Sequence, residues 1–254
     1  MSAMNALRSI LFLVWMYGLM LVMGVIWLPA LLLPKAVTLF GIRLFTRLTR
    51  FGLRWICGVR TQIRGADKLP QAPFIYAAKH QCMWDVFIPF LITPAPAIIM
   101  KRELLWYPVL GWYALKAGMI PIDRSGAAQT LKAMTRQAEA RAAQGRVIVI
   151  FPEGTRHRPG AETTYFAAGT GALYKRLGLP VVPVATNSGL TWPARGLVRR
   201  PGLAVFEILP PLPAGLDRRA LMRQLEAAIE PASAQLLKEG LAVQGRNTGE
   251  LEAS

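Results

Sequence analysis

The chain has 254 residues, a net charge of +16, 53% hydrophobic residues and a mean hydropathy of +0.34. A sequence both basic and apolar is a poor match to a freely soluble protein and points to an anionic membrane surface and anionic substrates. A nucleic-acid partner would explain the charge but not the apolar excess, and no helix-turn-helix, finger or aromatic RNA-binding signature is present.

Residues 9–34 form a run of 26 without a charge, bracketed by Arg8 and Lys35, long enough to cross about 30 Å of hydrocarbon. The run is too long for the core of a cleaved signal peptide and lacks a small-residue cleavage site. Pro29 and Pro34 break its last turns, which leaves open whether the helix spans the bilayer or dips and returns. A second helix is expected over 37–60. Arg43, Arg47, Arg50 and Arg54 share one of its faces, while Leu39, Phe40, Leu44, Phe51 and Trp55 supply apolar surface, a pattern suited to a phospholipid interface. No acidic residue precedes Asp67.

From Val59 onward strand and helix patterns alternate. Strands are expected at 59–63, 74–78, 97–100, 119–122, 147–151, 181–185 and 204–209. Helices are expected at 84–91, 103–116, 127–144, 167–177 and 217–229. This predicts an α/β fold: a single mixed, largely parallel sheet flanked by helices, with an N-terminal membrane-associated two-helix segment. The expected organisation is residues 1–58 as membrane or interfacial helices, 59–240 as one α/β domain and 241–254 as a flexible tail.

Two short motifs carry chemistry. His80-Gln-Cys-Met-Trp-Asp85 offers an imidazole and a carboxylate five positions apart. On a straight helix such residues sit about 140° apart around the axis and cannot touch. With His80 on a strand-to-helix loop and Asp85 in the first helical turn they can meet, Asp85 fixing the tautomer and leaving the other ring nitrogen as a base. Phe151-Pro-Glu-Gly-Thr-Arg156, on a kinked turn after an apolar strand, adds a carboxylate and a guanidinium suited to phosphate. His-x4-Asp alone is a weak signal; its co-occurrence with the second motif is a strong one.

These residues resemble the glycerolipid acyltransferase family, most closely its bacterial 1-acyl-sn-glycerol-3-phosphate acyltransferase branch. Two further blocks extend the resemblance, Gly118-Met-Ile-Pro-Ile-Asp-Arg124 and Leu179-Pro-Val-Val-Pro-Val184, with Lys101-Arg-Glu-Leu and Pro108-Val-Leu-Gly111 ahead of the first. The resemblance implies that His80 is the general base and Asp85 its orienting partner. It further implies that Arg124, Glu153, Gly154, Thr155, Arg156 and Lys101 hold the acceptor's phosphate and glycerol. The implied reaction is acyl transfer from an acyl-CoA or acyl carrier protein thioester to the free hydroxyl of 1-acyl-sn-glycerol-3-phosphate, giving phosphatidate, with no cofactor. Lyso-ornithine lipid, glycerol-3-phosphate or another lysophospholipid are alternative acceptors. The implied location is the bacterial inner membrane, with the catalytic domain facing the cytoplasm and an anionic phospholipid surface as partner; the excess of Lys and Arg after the apolar segment agrees.

Other chemistries are less well served. Two His and two Cys show no metal-ligand spacing, and Cys57 and Cys82 are expected to remain thiols. Cys82 could be imagined as an acyl-carrying nucleophile, but reads better as a small apolar residue in the helix's first turn. An esterase or phospholipase would need a Gly-x-Ser-x-Gly elbow, which neither Ser125 nor Ser188 has. A non-catalytic membrane-binding protein is the remaining class, against which the intact polar residues argue. No nucleotide-type glycine loop occurs, and Gly169 and Gly171 read as helix packing positions. Arg195, Arg199 and Arg200 form a second basic cluster, read equally as a contact for donor phosphates or lipid headgroups and as a solvated loop.

Overall fold

The computed structural model describes residues 3–123, 127–161, 165 and 167–245. Seven strands form one sheet: β1 Val59–Arg64, β2 Ile75–Ala78, β3 Pro96–Lys101, β4 Ile120–Ile122, β5 Val147–Ile150, β6 Val181–Thr186 and β7 Gly202–Ile208. Their spatial order is β1-β7-β6-β2-β5-β3-β4. β6, β2, β5, β3 and β4 run parallel, β7 is antiparallel to β6, and β1 is parallel to β7. The α/β fold with a mixed, mostly parallel sheet is thus present, and each expected strand exists to within two residues at either end.

The central strands are buried on both faces, as parallel strands covered by helices must be. Ile75, Ala77, Ile148 and Ile150 face α5 (Ala127–Ala142), α6 (Ala167–Leu177) and α7 (Arg218–Val243). Tyr76, Ala78, Val147 and Val149 face the other way, packing with Leu39 of α2 (Lys35–Trp55), Phe90 of α3 (Ile88–Ile92) and Ala114 and Ala117 of α4 (Leu110–Ala117). Each fully buried Ile or Val contributes about 1.5–3 kcal/mol, so these strands form the stable centre on which loops can be held in place.

The second helix, expected over 37–60, is α2 and ends at Trp55, because β1 starts at Val59; three further helices depart from the sequence expectation, each at a proline. The segment expected as one helix over 84–91 is a 3-10 turn, Met83–Val86, followed by α3 with Pro89 in its first turn. The segment over 103–116 is broken at Pro108 and Val109 into a 3-10 turn, Arg102–Trp106, and α4. Conversely α7 continues past 229, through Pro231, to Val243. Burial of Ile229, Leu236, Leu237 and Leu241 along α7 outweighs the roughly 3 kcal/mol that an interior proline costs.

The two N-terminal helices form an antiparallel hairpin. α1 (Ala3–Ile26) ends before a 3-10 turn at Leu28–Leu31, and α2 returns along it. Trp15 Nε1 donates to Leu48 O and Trp27 Nε1 to Val37 O. The same two indoles fill the space where Gly52 and Gly41 lack a side chain. α1 is long and apolar enough to cross a membrane by length and composition, yet it lies along the α/β domain at both ends. Phe12 and Met16 pack with Leu53, Trp84 and Trp192, and Gly24 O accepts from Tyr113 Oη at 2.8 Å. The rest of its surface, including Leu7, Leu11, Val14, Leu21, Val25 and Ile26, is exposed.

The basic residues divide accordingly. Arg43 Nη2 donates to Thr93 O and Arg50 Nη2 to Thr61 O, so two of the four arginines grouped on one face of α2 tie the hairpin to the domain. Arg199, grouped with a surface cluster by sequence, is buried beneath α1: its guanidinium lies 4.4 Å from the Trp192 ring and 5.7 Å from Phe12. Phe12→Ala should therefore lower the stability of the detergent-solubilised protein by about 3–5 kcal/mol. A melting temperature equal to that of the parent chain would show that the α1 contact contributes nothing.

Candidate active site

The C-terminal ends of β6, β2, β5, β3 and β4 lie along one edge of the sheet, the position where open α/β sheets bind ligands. The loops leaving these ends carry the residues singled out by sequence. His80 follows β2, Glu153 to Arg156 follow β5, and Lys101 ends β3. Adjacent strands are about 4.8 Å apart, so the phosphate-binding candidates lie one or two strand spacings from His80. Arg124 and Ser125 lie outside the described residues.

His80 and Asp85 meet as the bent backbone requires. His80 Nδ1 is 3.0 Å from Asp85 Oδ2. Cys82 caps the 3-10 turn Met83–Val86, and Asp85 sits at its third position, accepting from the backbone N–H of Cys82 at 2.8 Å and of Gln81 at 2.6 Å. Its other oxygen accepts from Ser188 Oγ at 2.5 Å and Cys82 Sγ at 3.3 Å. The carboxylate is buried, with a side chain 1% exposed, whereas the imidazole is 14% exposed. These donors fix the carboxylate in place, and its bond to Nδ1 places a ring proton there, leaving Nε2 with its lone pair. The ring stacks on Phe151 at 4.2 Å between centroids, which limits its rotation.

The second motif folds back onto the first. Gly154 N–H donates to Phe151 O at 3.0 Å, closing a turn with Pro152 at its second position. Gly154 has φ of 68°, a conformation open to glycine and costly for other residues. This turn aims Glu153 inward, where Oε1 accepts the backbone N–H of His80 at 2.7 Å, while His157 N–H donates to His80 O at 2.9 Å. Thr155 and Arg156 are directed outward and exposed, and Arg156 makes no hydrogen bond or ion pair with the described residues. Lys101, half exposed, is 3.7 Å from Glu103.

Five residues that sequence reasoning did not place in the site help to build it. Ser188, in the turn after β6, orients Asp85, and Gln81 Oε1 accepts Gly189 N–H at 3.0 Å, tying the β2 and β6 loops together. Lys79, 2% exposed, forms a salt bridge to Glu230 of α7 at 2.6 Å, and Tyr165 Oη donates to the same carboxylate at 2.7 Å. A lysine closing a buried strand, next to a candidate base, is the signal that could have pointed to an acidic partner.

The arrangement disfavours the nucleophilic alternatives. Cys82 is fully buried, and burial together with the Asp85 charge pushes its thiol well above the ordinary range, so it is not a thiolate. Ser188 is buried and donates to Asp85 rather than to His80. Cys57 and Cys82 are free thiols. Among the described residues no group of three His, Cys, Asp or Glu is placed to hold a metal.

A His and Asp paired at the end of a central strand, on the same sheet edge as an outward-facing arginine, can activate a hydroxyl whose neighbouring group is anionic. The acyltransferase family matches residues 60–187, from β1 to the end of β6, and the chain belongs to that family. It is 31% identical over 248 residues to 1-acyl-sn-glycerol-3-phosphate acyltransferase of Pseudomonas aeruginosa, covering 97% of this chain and 96% of that one. The likeness therefore takes in the N-terminal helices. The human 1-acyl-sn-glycerol-3-phosphate acyltransferase alpha is 29% identical over 170 residues, covering 66% of this chain and 60% of that one. The crystal structure of the 1-acyl-sn-glycerophosphate acyltransferase from Thermotoga maritima shares the fold, with a TM-score of 0.74, 22% identity and coverage of 91% and 97% of the two chains.

Glu153 gives the site a pH signature. Burial raises its carboxyl from an ordinary 4.5 to about 7, partly offset by the nearby Lys79 charge and the His80 N–H. The folded state thus keeps a proton that the unfolded state has released, so stability is fully present below pH 4.5 and is lost as pH rises to about 7. Glu153→Gln removes this dependence while keeping an acceptor for His80 N–H. Unfolding free energies at pH 5 and pH 8 should show the variant gaining on the parent by on the order of 3 kcal/mol at the higher pH. A difference that does not change with pH would contradict the assigned burial.

Proposed function

We propose that this chain transfers a fatty acyl group from an acyl-CoA or acyl carrier protein thioester to the free hydroxyl of 1-acyl-sn-glycerol-3-phosphate, giving phosphatidate. The observation that carries the reading is the His80–Asp85 pair, whose Nε2 lies on the same sheet edge as the exposed Arg156. The curated relatives from Pseudomonas aeruginosa and human, named for this reaction, support the choice of acceptor.

In the proposed mechanism Arg156 and Lys101, with Arg124, hold the acceptor's phosphate, and Glu153, Gly154 and Thr155 shape the turn against which its glycerol rests. The hydroxyl is thereby presented to His80 Nε2. His80 takes the proton as the oxygen attacks the thioester carbonyl, and Asp85 stabilises the imidazolium. The tetrahedral oxyanion collapses, the C–S bond breaks, and His80 returns the proton to the departing thiolate. The acyl group passes directly between substrates, consistent with the buried, unionised Cys82.

The substrates place the enzyme at a membrane. The exposed apolar face of α1 and the exposed Arg47 and Arg54 of α2 suit an anionic phospholipid surface, and the excess of cations after residue 34 supports a catalytic domain facing the cytoplasm, on the bacterial inner membrane.

The direct test is purified protein with lysophosphatidate and a labelled acyl thioester, followed by lipid product analysis. Phosphatidate should form, and His80→Ala should lower turnover by about 10²- to 10⁴-fold with the fold retained. A folded His80→Ala protein with near-normal turnover would remove His80 from the mechanism. Arg156→Lys keeps the charge but loses the planar fork, so KM for lysophosphatidate should rise; unchanged kinetics would make Arg156 a bystander.

A further inference from the structure

The helix α4 carries one charge, Lys116, in eight residues. Gly111, Ala114 and Ala117 form its buried side against the sheet. The opposite side, where a surface helix ordinarily carries polar residues, presents Trp112 at 48% and Leu115 at 58% exposure. The 3-10 turn before it, Arg102–Trp106, and the residue that follows add Trp106 at 81% and Tyr107 at 60%. Single exposed apolar residues are unremarkable, but four large ones on two packed, adjoining elements mark an interaction surface.

This surface is rigid and joined to α1. Gly111 lies so close to the Leu105 carbonyl that a side chain would not fit, which folds the 3-10 turn tightly against α4. Val109, a β-branched residue at φ 66°, packs against Gly24 of α1, and Tyr113 Oη donates to Gly24 O. The exposed second half of α1, with Leu21, Val22, Val25 and Ile26, therefore adjoins α4. Lys101 and Arg102 stand at one end of the segment and Lys116 at the other, with Glu103 as its one acid.

We infer that the segment 102–117 is a second membrane-contact surface, continuous with the exposed second half of α1, that seats on an anionic phospholipid bilayer through Trp106, Tyr107, Trp112 and Leu115. Tryptophan and tyrosine favour the headgroup level, and flanking Lys and Arg are attracted to lipid phosphates. A second copy of the chain is a worse occupant, because an antiparallel two-fold contact would bring Lys116 of one copy against Lys101 and Arg102 of the other. The inference rests on the reading that the acceptor is a membrane lipid, and it adds a reason for the surface's position. Lys101 ends β3, next to the strand whose loop carries Arg156, so docking here holds the phosphate-binding rim of the site at headgroup depth.

The test uses the full chain with an environment-sensitive fluorophore on a single introduced cysteine, Trp106→Cys or Leu115→Cys, bound to phosphatidylethanolamine–phosphatidylglycerol vesicles. The native Cys57 and Cys82 are buried at 1% and 0% exposure and escape labelling, which unsubstituted protein checks. Leu21→Cys reports on α1, and Lys132→Cys on the opposite face of the domain. Labels at 106 and 115 should shift to the blue and lose intensity with doxyl lipids, as should 21, while 132 keeps its aqueous emission. Aqueous emission at 106 and 115 with 21 quenched would overturn the inference alone; aqueous emission at all three would overturn the membrane reading with it. A shift at 106 and 115 that grows with protein concentration without vesicles would identify self-association instead and also overturn it.

Discussion

The buried carboxylate of Asp85 is the constraint around which the site is arranged. It collects five donors from three places: the His80 ring, the backbone and thiol at residues 81 and 82, and Ser188 after β6. Hydrogen bonds to a charged group contribute about 1.5–3 kcal/mol each, and a buried charge left unpaired costs about 3–5 kcal/mol. The carboxylate therefore draws the β2 and β6 loops together, and His80 is oriented as a consequence. Glu153 does the corresponding work from the β5 side, holding the His80 backbone. Three strand ends are thereby tied to one imidazole before any substrate arrives, which is the preorganisation that acyl transfer requires.

The chain's large positive charge has more than one origin in the structure. Arg146, buried at the start of β5, donates to the carbonyls of Ala95, Pro96 and Gly118 and ties β3, β5 and the end of α4 together at the edge away from the site. Arg199 anchors α1 through Trp192 and Phe12, and Lys79 joins α7 to the loop that carries His80. Arg156 and Lys101, by contrast, remain outward on the site edge. Net charge thus overstates the cations available to anionic lipid and substrate, and only burial separates the two populations.

Much of the fold was legible because its signals are local. Short, mostly apolar runs separated by helical patterns marked six of the seven strands, β1 being the polar exception with Val59 and Ile63 as its apolar positions, and the bend needed between His80 and Asp85 followed from helix geometry alone. The hidden parts depended on distant contacts. Ser188 reaches Asp85 across 103 residues of sequence, and Lys79 reaches Glu230 across 151. Pro231 was tolerated in α7 because of what the helix buries, whereas Pro108 did break the chain, and local propensity weighs both alike. The grouping of Arg43 and Arg199 with surface charges failed for the same reason: their partners, Thr93 and Trp192, are brought to them only by the fold.

The proposed mechanism requires Asp85 to fix the His80 tautomer, with the proton on Nδ1 and Nε2 free to act as base. The chain has two histidines, so selective ¹⁵N-histidine labelling gives a spectrum of two rings, assigned with a His157→Gln variant that retains the backbone bond to His80. Above the range where the imidazole is charged, His80 should show a protonated Nδ1 and an unprotonated Nε2, and Asp85→Asn should abolish that preference. A His80 ring protonated on Nε2 in the parent protein would contradict the account.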